Sequence, residues 1–204
     1  FTPTKKFLSY NYSLTLIPTY LYKPNAYSNF VIQTRAFWFF KNFWDLSINF
    51  NWQPDWQRDY FDLRTPGRMI RKTPYWYASA GGSSDSRKRY FFRFNLGFAE
   101  SPIPNDPFIV TTIGQRYRFN EHFSLDVETR RDLDNGQFGY AYRDTNGEPI
   151  AGRRKVTNFT TLINGIYNFT PRMNLTLRTR HYWSKVQYVS FFDVTPDGWL
   201  TSRP

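Results

Sequence analysis

The stretch Leu8-Ser9-Tyr10-Asn11-Tyr12-Ser13-Leu14-Thr15-Leu16 decides the fold of this chain. Leucine and tyrosine alternate here with serine, asparagine and threonine. A period of two places the apolar side chains on one face of a β-strand and the hydroxyl and amide groups on the other. The same alternation recurs at 44–53, 89–98, 123–128 and 158–168. The sequence therefore predicts strands that each have one apolar and one polar face.

The predicted strands are long for a soluble sheet. They lie near 6–22, 28–41, 44–53, 71–80, 88–99, 108–118, 122–143, 149–169 and 173–188. Soluble strands usually have about 5–6 residues, whereas a tilted strand needs about 9–11 to cross a bilayer. The predicted fold class is all-β, a partial antiparallel up-and-down transmembrane β-barrel with about nine or ten strands in this chain. An ordinary antiparallel sheet with cross-strand aromatic pairs is the alternative.

The turns predict one barrel domain over residues 1–204. Tight turns fall near 41–43, 120–122 and 170–172, and they share one side, as periplasmic turns do, if a strand at 71–80 is included. Long extracellular connections are predicted near 53–70 and 130–155. Within the second, strands 122–143 and 149–169 form a tall hairpin whose outer half projects beyond the bilayer. Asp134-Asn135-Gly136 predicts a bulge in it.

If the apolar face meets lipid, the other face lines an aqueous lumen with a basic bias. The predicted lumen-lining residues are Arg35, Arg93, Arg116, Arg118, Asp126, Glu128, Arg178 and Arg180. Matching the faces across the tight turns places Arg116 opposite Asp126 and Asn164 opposite Arg178. We interpret a cross-strand ion pair here as structural lining, with a selectivity ring for anionic solutes as the alternative.

Two further groups complete the barrel hypothesis. An outer basic rim that faces lipopolysaccharide phosphates, or only solvent, is predicted at Arg130, Arg131, Arg153, Arg154 and Lys155. An aromatic girdle at the headgroups is predicted at Tyr22, Trp44, Trp52, Phe119, Phe123, Tyr167 and Phe169. Lipid and lipopolysaccharide of a Gram-negative outer membrane, and other envelope proteins, are the expected partners.

Composition restricts the chemistry. The chain has no cysteine and only two histidines, His122 and His181, and it has no serine elbow, phosphate loop or metal-spaced histidine pair. Asp126 and Glu128 share a face as glycosidase carboxylates would, but we interpret them as lining. We therefore expect no catalytic residues, no metal and no cofactor. Four rings could stack on sugars, although packing is the alternative: Trp52, Trp56, Tyr60 and Trp76.

The net charge of +11, with 27 Lys+Arg against 16 Asp+Glu, raises the question of nucleic acid. The basic residues and the rings lie on opposite strand faces, so they would not share one binding surface. We therefore expect no nucleic-acid partner. No apolar run of roughly 18 residues is present, which excludes a transmembrane helix.

Several motifs resemble one known family. The longest is Leu177-Arg178-Thr179-Arg180-His181-Tyr182-Trp183-Ser184-Lys185-Val186, followed by Asp197-Gly198-Trp199-Leu200. Further matches are Asp62-Leu63-Arg64-Thr65-Pro66-Gly67-Arg68, Ser84-Asp85-Ser86-Arg87-Lys88, Arg116-Tyr117-Arg118-Phe119 and Gly152-Arg153-Arg154. In this order they are similar to the C-terminal region of a Bacteroidota cell-envelope family known as domain of unknown function 5916.

The resemblance implies a large outer-membrane protein with a signal peptide, a module that looks like a family-nine carbohydrate-binding module, and a long β-barrel region. This chain would be an interior piece of that region, without the module or the final strands. The resulting function hypothesis is a non-enzymatic outer-membrane β-barrel that acts as a pore, or as a scaffold in an envelope complex linked to glycan handling. A soluble carbohydrate- or nucleic-acid-binding β-module is the alternative.

Overall fold

A computed structural model describes residues 6–23, 25–102 and 106–203, and none of these lies in a helix. The helical membrane spans that were searched for are accordingly absent from this part of the chain. The strands are β1 Phe7–Leu21, β2 Ala26–Phe40, β3 Asp45–Gln53, β4 Gln57–Asp59, β5 Ile70–Lys72, β6 Tyr75–Ser83, β7 Tyr90–Glu100, β8 Phe108–Arg118, β9 Phe123–Arg143, β10 Pro149–Thr170, β11 Met173–Val194 and β12 Leu200–Ser202.

Ten of the strands form one antiparallel sheet in the order β1-β2-β3-β6-β7-β8-β9-β10-β11-β12, and β4 pairs separately with β5. The predicted all-β, up-and-down antiparallel architecture is confirmed. The strand predicted at 71–80 is present as β6, shifted toward the C-terminus. The sequence analysis missed β4, β5 and β12, each of which has 3 residues. Such segments are too short for an alternating pattern to be recognised.

The sheet is open, because no pairing joins β1 to β11 or β12 among the described residues. Barrel closure is therefore not found among the described residues, for which the sequence had predicted a partial barrel. The backbone edges of β1 and of most of β11 remain without a strand partner in the described ranges.

The strand register keeps the two kinds of side chain on separate faces of the sheet. One cross-strand row on the apolar face contains Leu16, Ile32, Trp52 and Trp76. One row on the polar face contains Ser13, Arg35, Asn49, Ser79 and Gly97. No second sheet within the described ranges covers the apolar face: Leu14 is 67% exposed, Leu96 50% and Leu177 66%.

The two ends of the sheet differ in their connections. The turns at 41–44, 84–89, 119–122 and 171–172 share one end, which we call the short-turn rim. The connections at 22–25, 54–74, 101–107, 144–148 and 195–199 lie at the other end, the long-connection rim; residues 24 and 103–105 fall outside the described ranges. The three predicted tight turns share one end, as predicted, but turn length alone does not separate the ends, because the connection at 22–25 is shorter than the turn at 84–89.

The predicted tall hairpin is present near 130–155, where β9 and β10 continue and end in the turn 144–148. The register shifts between Asp134 and Gln137, where the bulge was predicted. β8 begins opposite Asp134 of β9. The parts of β9, β10 and β11 nearest the long-connection rim, which we call their upper parts, therefore extend beyond β8.

The connection between β3 and β6 shows that the sheet is curled. Arg58 of β4 lies 5.5 Å from the ring of Tyr27 on β2, and its strand partner Arg71 lies 4.6 Å from the ring of Trp199 beside β12. In a flat sheet β2 and β12 would be roughly 38 Å apart. The paired residues Arg58 and Arg71 can contact β2 and the segment beside β12 at the same time only if the two ends of the sheet bend toward each other. The hairpin covers Asn51 and Tyr77, so the polar face is the concave one.

The apolar core lies where this connection meets the long-connection rim. It consists of Leu63, Ile70, Ala151 and Val194, all buried, with Phe192 and Leu200 packed against them. Its members come from the β3–β6 connection and from the upper parts of β10 to β12. Among the described residues, burial of apolar side chains is therefore concentrated at one rim, and the rest of the sheet has an exposed apolar face.

Candidate functional site

The best-defined charged cluster lies on the polar face and is centred on Arg93 of β7. Its guanidinium donates hydrogen bonds to both carboxylate oxygens of Asp126, at 2.9 and 2.7 Å, and to Oε2 of Glu128 at 2.9 Å. Both acids lie on β9, so the arginine side chain crosses β8. It does so above Gly114, where a Cβ atom would lie 2.6 Å from Nε of Arg93. Glycine is required there because a larger residue would displace the guanidinium.

The predicted lumen-lining residues all belong to the polar face by register. The predicted cross-strand neighbours are confirmed: Arg116 lies opposite Asp126, and Asn164 lies opposite Arg178. The ion pair itself differs from the expectation. Asp126 pairs with Arg93, whereas Arg116 lies 4.8 Å from the ring of Phe91 and donates to the carbonyl oxygen of Ser86.

The other arginines of this face have few acidic partners. Arg118 donates to backbone carbonyl oxygens in the turn between β6 and β7, and Arg35, Arg178 and Arg180 are exposed. No described carboxylate forms a salt bridge with any of these four. The polar face therefore combines the neutralised Arg93 cluster with several arginines that have no carboxylate partner among the described residues.

The residues of the predicted outer basic rim differ in the face of the sheet they belong to and in their partners. Arg130 belongs to the polar face, where it pairs with Asp132 at 3.0 Å, but Arg131 belongs to the apolar face opposite Phe159. The two remaining arginines are held by local partners: Arg153 pairs with Asp106, and Arg154 donates to the amide oxygen of Gln137 at 2.6 Å. Lys155 is exposed. Adjacent residues of a strand point to opposite faces of the sheet, so consecutive basic residues are divided between the two faces.

The predicted girdle residues lie near both rims. At the short-turn rim the rings form a chain of contacts: Phe119 stacks on Phe123 at 4.9 Å, Phe123 lies 6.4 Å from Tyr167, and Tyr167 lies 4.8 Å from Phe169. Trp44 follows the turn at the same rim. Trp52 and Tyr22 lie toward the long-connection rim.

A second aromatic row follows Trp52 on the apolar face. Phe50, Trp76 and Phe98 make successive ring contacts of 6.4 and 5.4 Å. Strands such as β3, which has 9 residues, and β7, which has 11, run between the two aromatic rows. This is the strand length that a bilayer requires.

Three of the side chains considered for catalysis already have partners within the protein. Asp126 and Glu128 are occupied by Arg93, and Nδ1 of His122 lies 2.7 Å from the carbonyl oxygen of Asn168. Within the described ranges no group of three His, Cys, Asp or Glu side chains is arranged to hold a metal.

The β4–β5 hairpin is held by a charged cluster that sequence reasoning missed. Nζ of Lys72 lies 2.8 Å from Oδ2 of Asp59 and 2.8 Å from Oδ2 of Asp62. Burial favours a raised pKa for Asp59, but hydrogen bonds from Lys72 and from the backbone of Phe61 and Asp62 outweigh it, and the pKa lies below its usual value. Burial also opposes the charged form of Lys72, yet the two carboxylates raise its pKa.

These shifts give the hairpin a stability that depends on pH. The contribution of Asp59 is present above its usual pKa of about 3.9 and is lost as the pH falls through the lower folded-state value. The contribution of Lys72 is complete below about pH 10.4 and is lost as the pH rises through the higher folded-state value. We expect the hairpin to be most stable between about pH 4 and pH 10.

The amide protons of Phe61 and Asp62 provide the measurement, because both donate to Oδ1 of Asp59 at 3.0 Å. Their NMR shifts should titrate with a midpoint below the usual aspartate value. In Lys72→Met the midpoint should move upward. A wild-type midpoint at or above about 3.9 would contradict the assigned ion pair.

The hairpin also joins the two ends of the sheet. On the β2 side, Oγ of Ser28 donates to the carbonyl oxygen of Arg58 at 3.1 Å, and Oη of Tyr60 donates to that of Tyr27 at 3.1 Å. On the other side, Nε of Arg71 donates to the carbonyl oxygen of Asp197 at 2.9 Å, and Arg68 pairs with Glu148. The connection is a bridge across the concave face.

An open cavity of about 480 Å³ lies beneath the bridge. The cavity is lined by Asn51 and Tyr77 from the sheet, Gln57 and Lys72 from the hairpin, and Asp106 and Asp134 near the bulge. No sequence signal indicated that residues this distant would meet, because a long connection does not reveal the direction in which it folds.

Comparison with known proteins gives one match. The family model described as Domain of unknown function (DUF5916) matches residues 1–204, as the resemblance predicted. No curated protein matches the chain. No solved structure matches it either.

Proposed function

The chain belongs to the DUF5916 family, and on this premise we propose that it forms part of the wall of a non-enzymatic outer-membrane β-barrel. Lipid would contact the apolar face, and the arginine-rich face would line the interior. One observation carries this proposal: a contiguous apolar face extends over a ten-stranded sheet and remains exposed, as at Leu14, Leu96 and Leu177. Soluble proteins rarely expose apolar patches of more than a few hundred Å².

The alternative of a soluble β-module requires a second layer over the apolar face. In a sandwich the apolar faces of two sheets oppose each other. The second sheet here, β4–β5, has only two strands and covers the concave polar face. The observed layering therefore favours lipid over a protein partner on the apolar side.

Strand direction supports completion of the sheet as a barrel. Eight antiparallel pairings separate β1 from β11, so the two edge strands run in the same direction. Antiparallel closure then needs an odd number of further strands between them. β12 runs antiparallel to β11 and pairs with Phe192–Val194, so it has the direction that such a strand requires.

The bridge bears on the choice between a pore and a scaffold. It lies over the polar face at the long-connection rim, which the barrel hypothesis assigns to the extracellular side. We expect it to narrow the interior at that rim, so an envelope scaffold or a constricted pore fits better than a wide channel. Phosphate groups of lipopolysaccharide are the expected contacts of exposed cations such as Lys155.

Paired cysteine labels test the membrane assignment, because the chain has no native cysteine. Leu177 and Arg178 are adjacent and exposed on β11, but they belong to opposite faces. In lipid vesicles, a spin label on Leu177→Cys should collide with dissolved oxygen, and one on Arg178→Cys with a water-soluble nickel complex. Equal accessibility of both labels to the nickel complex would contradict a lipid-facing apolar surface.

A further inference from the structure

Of the four rings that the sequence predicted could stack on sugars, one forms part of an aromatic pair beside a cleft. Trp52 and Trp76 belong to the apolar face, and Tyr60 is held by the carbonyl oxygen of Tyr27. Trp56 instead meets Trp199, a residue that sequence reasoning did not select, at 4.8 Å with an angle of 71° between the rings. The two indoles form a corner on the side of the bridge that faces β10 to β12.

The corner is one wall of a cleft of about 300 Å³. Phe138 and Phe192, whose rings are 5.6 Å apart, contribute to the lining, together with Leu200. Trp199 lies in a turn beside the polar face, and 43% of its surface is exposed. Apolar clefts with a few polar groups at defined positions are typical of small-molecule sites.

The polar lining of the cleft is basic. Arg71, Lys72 and Arg153 contribute to it, and no carboxylate of the described residues does. Lys72 is neutralised by Asp59 and Asp62, and Arg153 pairs with Asp106. Arg71 alone among these three has no carboxylate partner in the described ranges.

Arg71 is held in place with part of its guanidinium free. Its guanidinium carbon lies 4.6 Å from the centre of the Trp199 ring, and Nε donates to the carbonyl oxygen of Asp197 at 2.9 Å. Its two terminal nitrogens have no hydrogen-bond partner among the described residues. Such an edge matches the two oxygens of a carboxylate.

We propose that this cleft binds a small aromatic carboxylate, with its ring in the Trp56–Trp199 corner and its carboxylate on Arg71. A sugar fits less well, because a pyranose has several hydroxyl groups and, among the described lining residues, Thr73 alone has a hydroxyl side chain. Buried hydroxyl groups without partners would oppose binding. The site goes beyond the proposed function and does not depend on membrane insertion.

The test titrates the full chain in detergent micelles with phenylacetate, its neutral analogue 2-phenylethanol, and D-glucuronate, by calorimetry and saturation-transfer NMR. Phenylacetate should bind saturably with a Kd on the order of 1 mM, a value in keeping with so small a ligand. The neutral analogue should bind about tenfold more weakly. Glucuronate should not bind.

Variants separate the two contacts. Arg71→Gln should weaken phenylacetate about tenfold and leave 2-phenylethanol unchanged, which also shows that the cleft is intact. Trp199→Leu should weaken both ligands. The matched controls Arg178→Gln and Trp183→Leu, at exposed positions of β11, should change neither. Absent saturation, equal binding of glucuronate, or an unchanged phenylacetate affinity in Arg71→Gln would each overturn the proposal.

Discussion

Replacement of Leu14 by arginine is expected to reduce folding into lipid bilayers strongly, whereas replacement of the next residue, Thr15, is not. Leu14 is central in β1 on the apolar face, and Thr15 lies opposite Gln33 on the polar face. An arginine at the bilayer midplane on the lipid face of a barrel costs about 2–4 kcal/mol. On the interior face the same residue meets water. The free energy of unfolding, measured by urea titration in vesicles, should fall by about this amount only in Leu14→Arg.

The pair is informative because both positions are exposed in the chain. In a soluble protein, substitutions at exposed positions usually change stability by less than about 0.5 kcal/mol. Only a lipid environment gives the two variants different stabilities. If both variants insert and unfold like the wild type, the apolar face does not contact lipid, and the proposed membrane role is wrong.

Replacement of Arg93 by methionine is expected to destabilise the polar face more than any other single change there. The substitution leaves Asp126 and Glu128, two neighbouring acids on β9, without their cation. Their side chains are only 20% and 29% exposed, so water compensates incompletely. Removal of one partner from a buried ion pair typically costs about 3–5 kcal/mol, and we expect about 3 kcal/mol for this partly exposed cluster.

Two further variants distinguish the ion cluster from a loss of packing. Combining Arg93→Met with Asp126→Asn and Glu128→Gln should restore most of the lost stability, because the uncompensated charges are then absent. Arg178→Met, on the same face but exposed, should cost less than about 0.5 kcal/mol. Urea titration of the four proteins provides the measurement. A triple variant no more stable than Arg93→Met would show that the side chain acts through packing over Gly114.

The alternation of side chains predicted much of the fold. It located the long strands, assigned each residue to a face, and, with the tight turns, gave the register that sets Arg116 opposite Asp126 and Asn164 opposite Arg178. These are local properties, because a two-residue period and a short hairpin fix which side chains become neighbours. The same reasoning indicated the bulge near Asp134, where asparagine and glycine interrupt the pattern.

The sequence was less informative about partners. It suggested Arg116 for Asp126, but the arginine that binds this acid comes from β7 and crosses Gly114. It grouped Arg130 and Arg131 in one outer rim, and the strand places these two residues on opposite faces of the sheet. Alternation reports the environment that a side chain faces, and it does not report which of several charges in that environment form a pair.

By itself, then, the sequence determined the strands, their two faces and the shared end of the three tight turns, because each depends on residues close together in the chain. Only the tertiary structure decided that the sheet curls, that the β4–β5 hairpin bridges its two ends through Tyr27 and Trp199, and that Trp56 and Arg71 line a cleft. The physical reason is that the curvature of the sheet accumulates from small twists between many pairs of neighbouring strands. Residues distant in sequence therefore come into contact only when all of these strands are assembled.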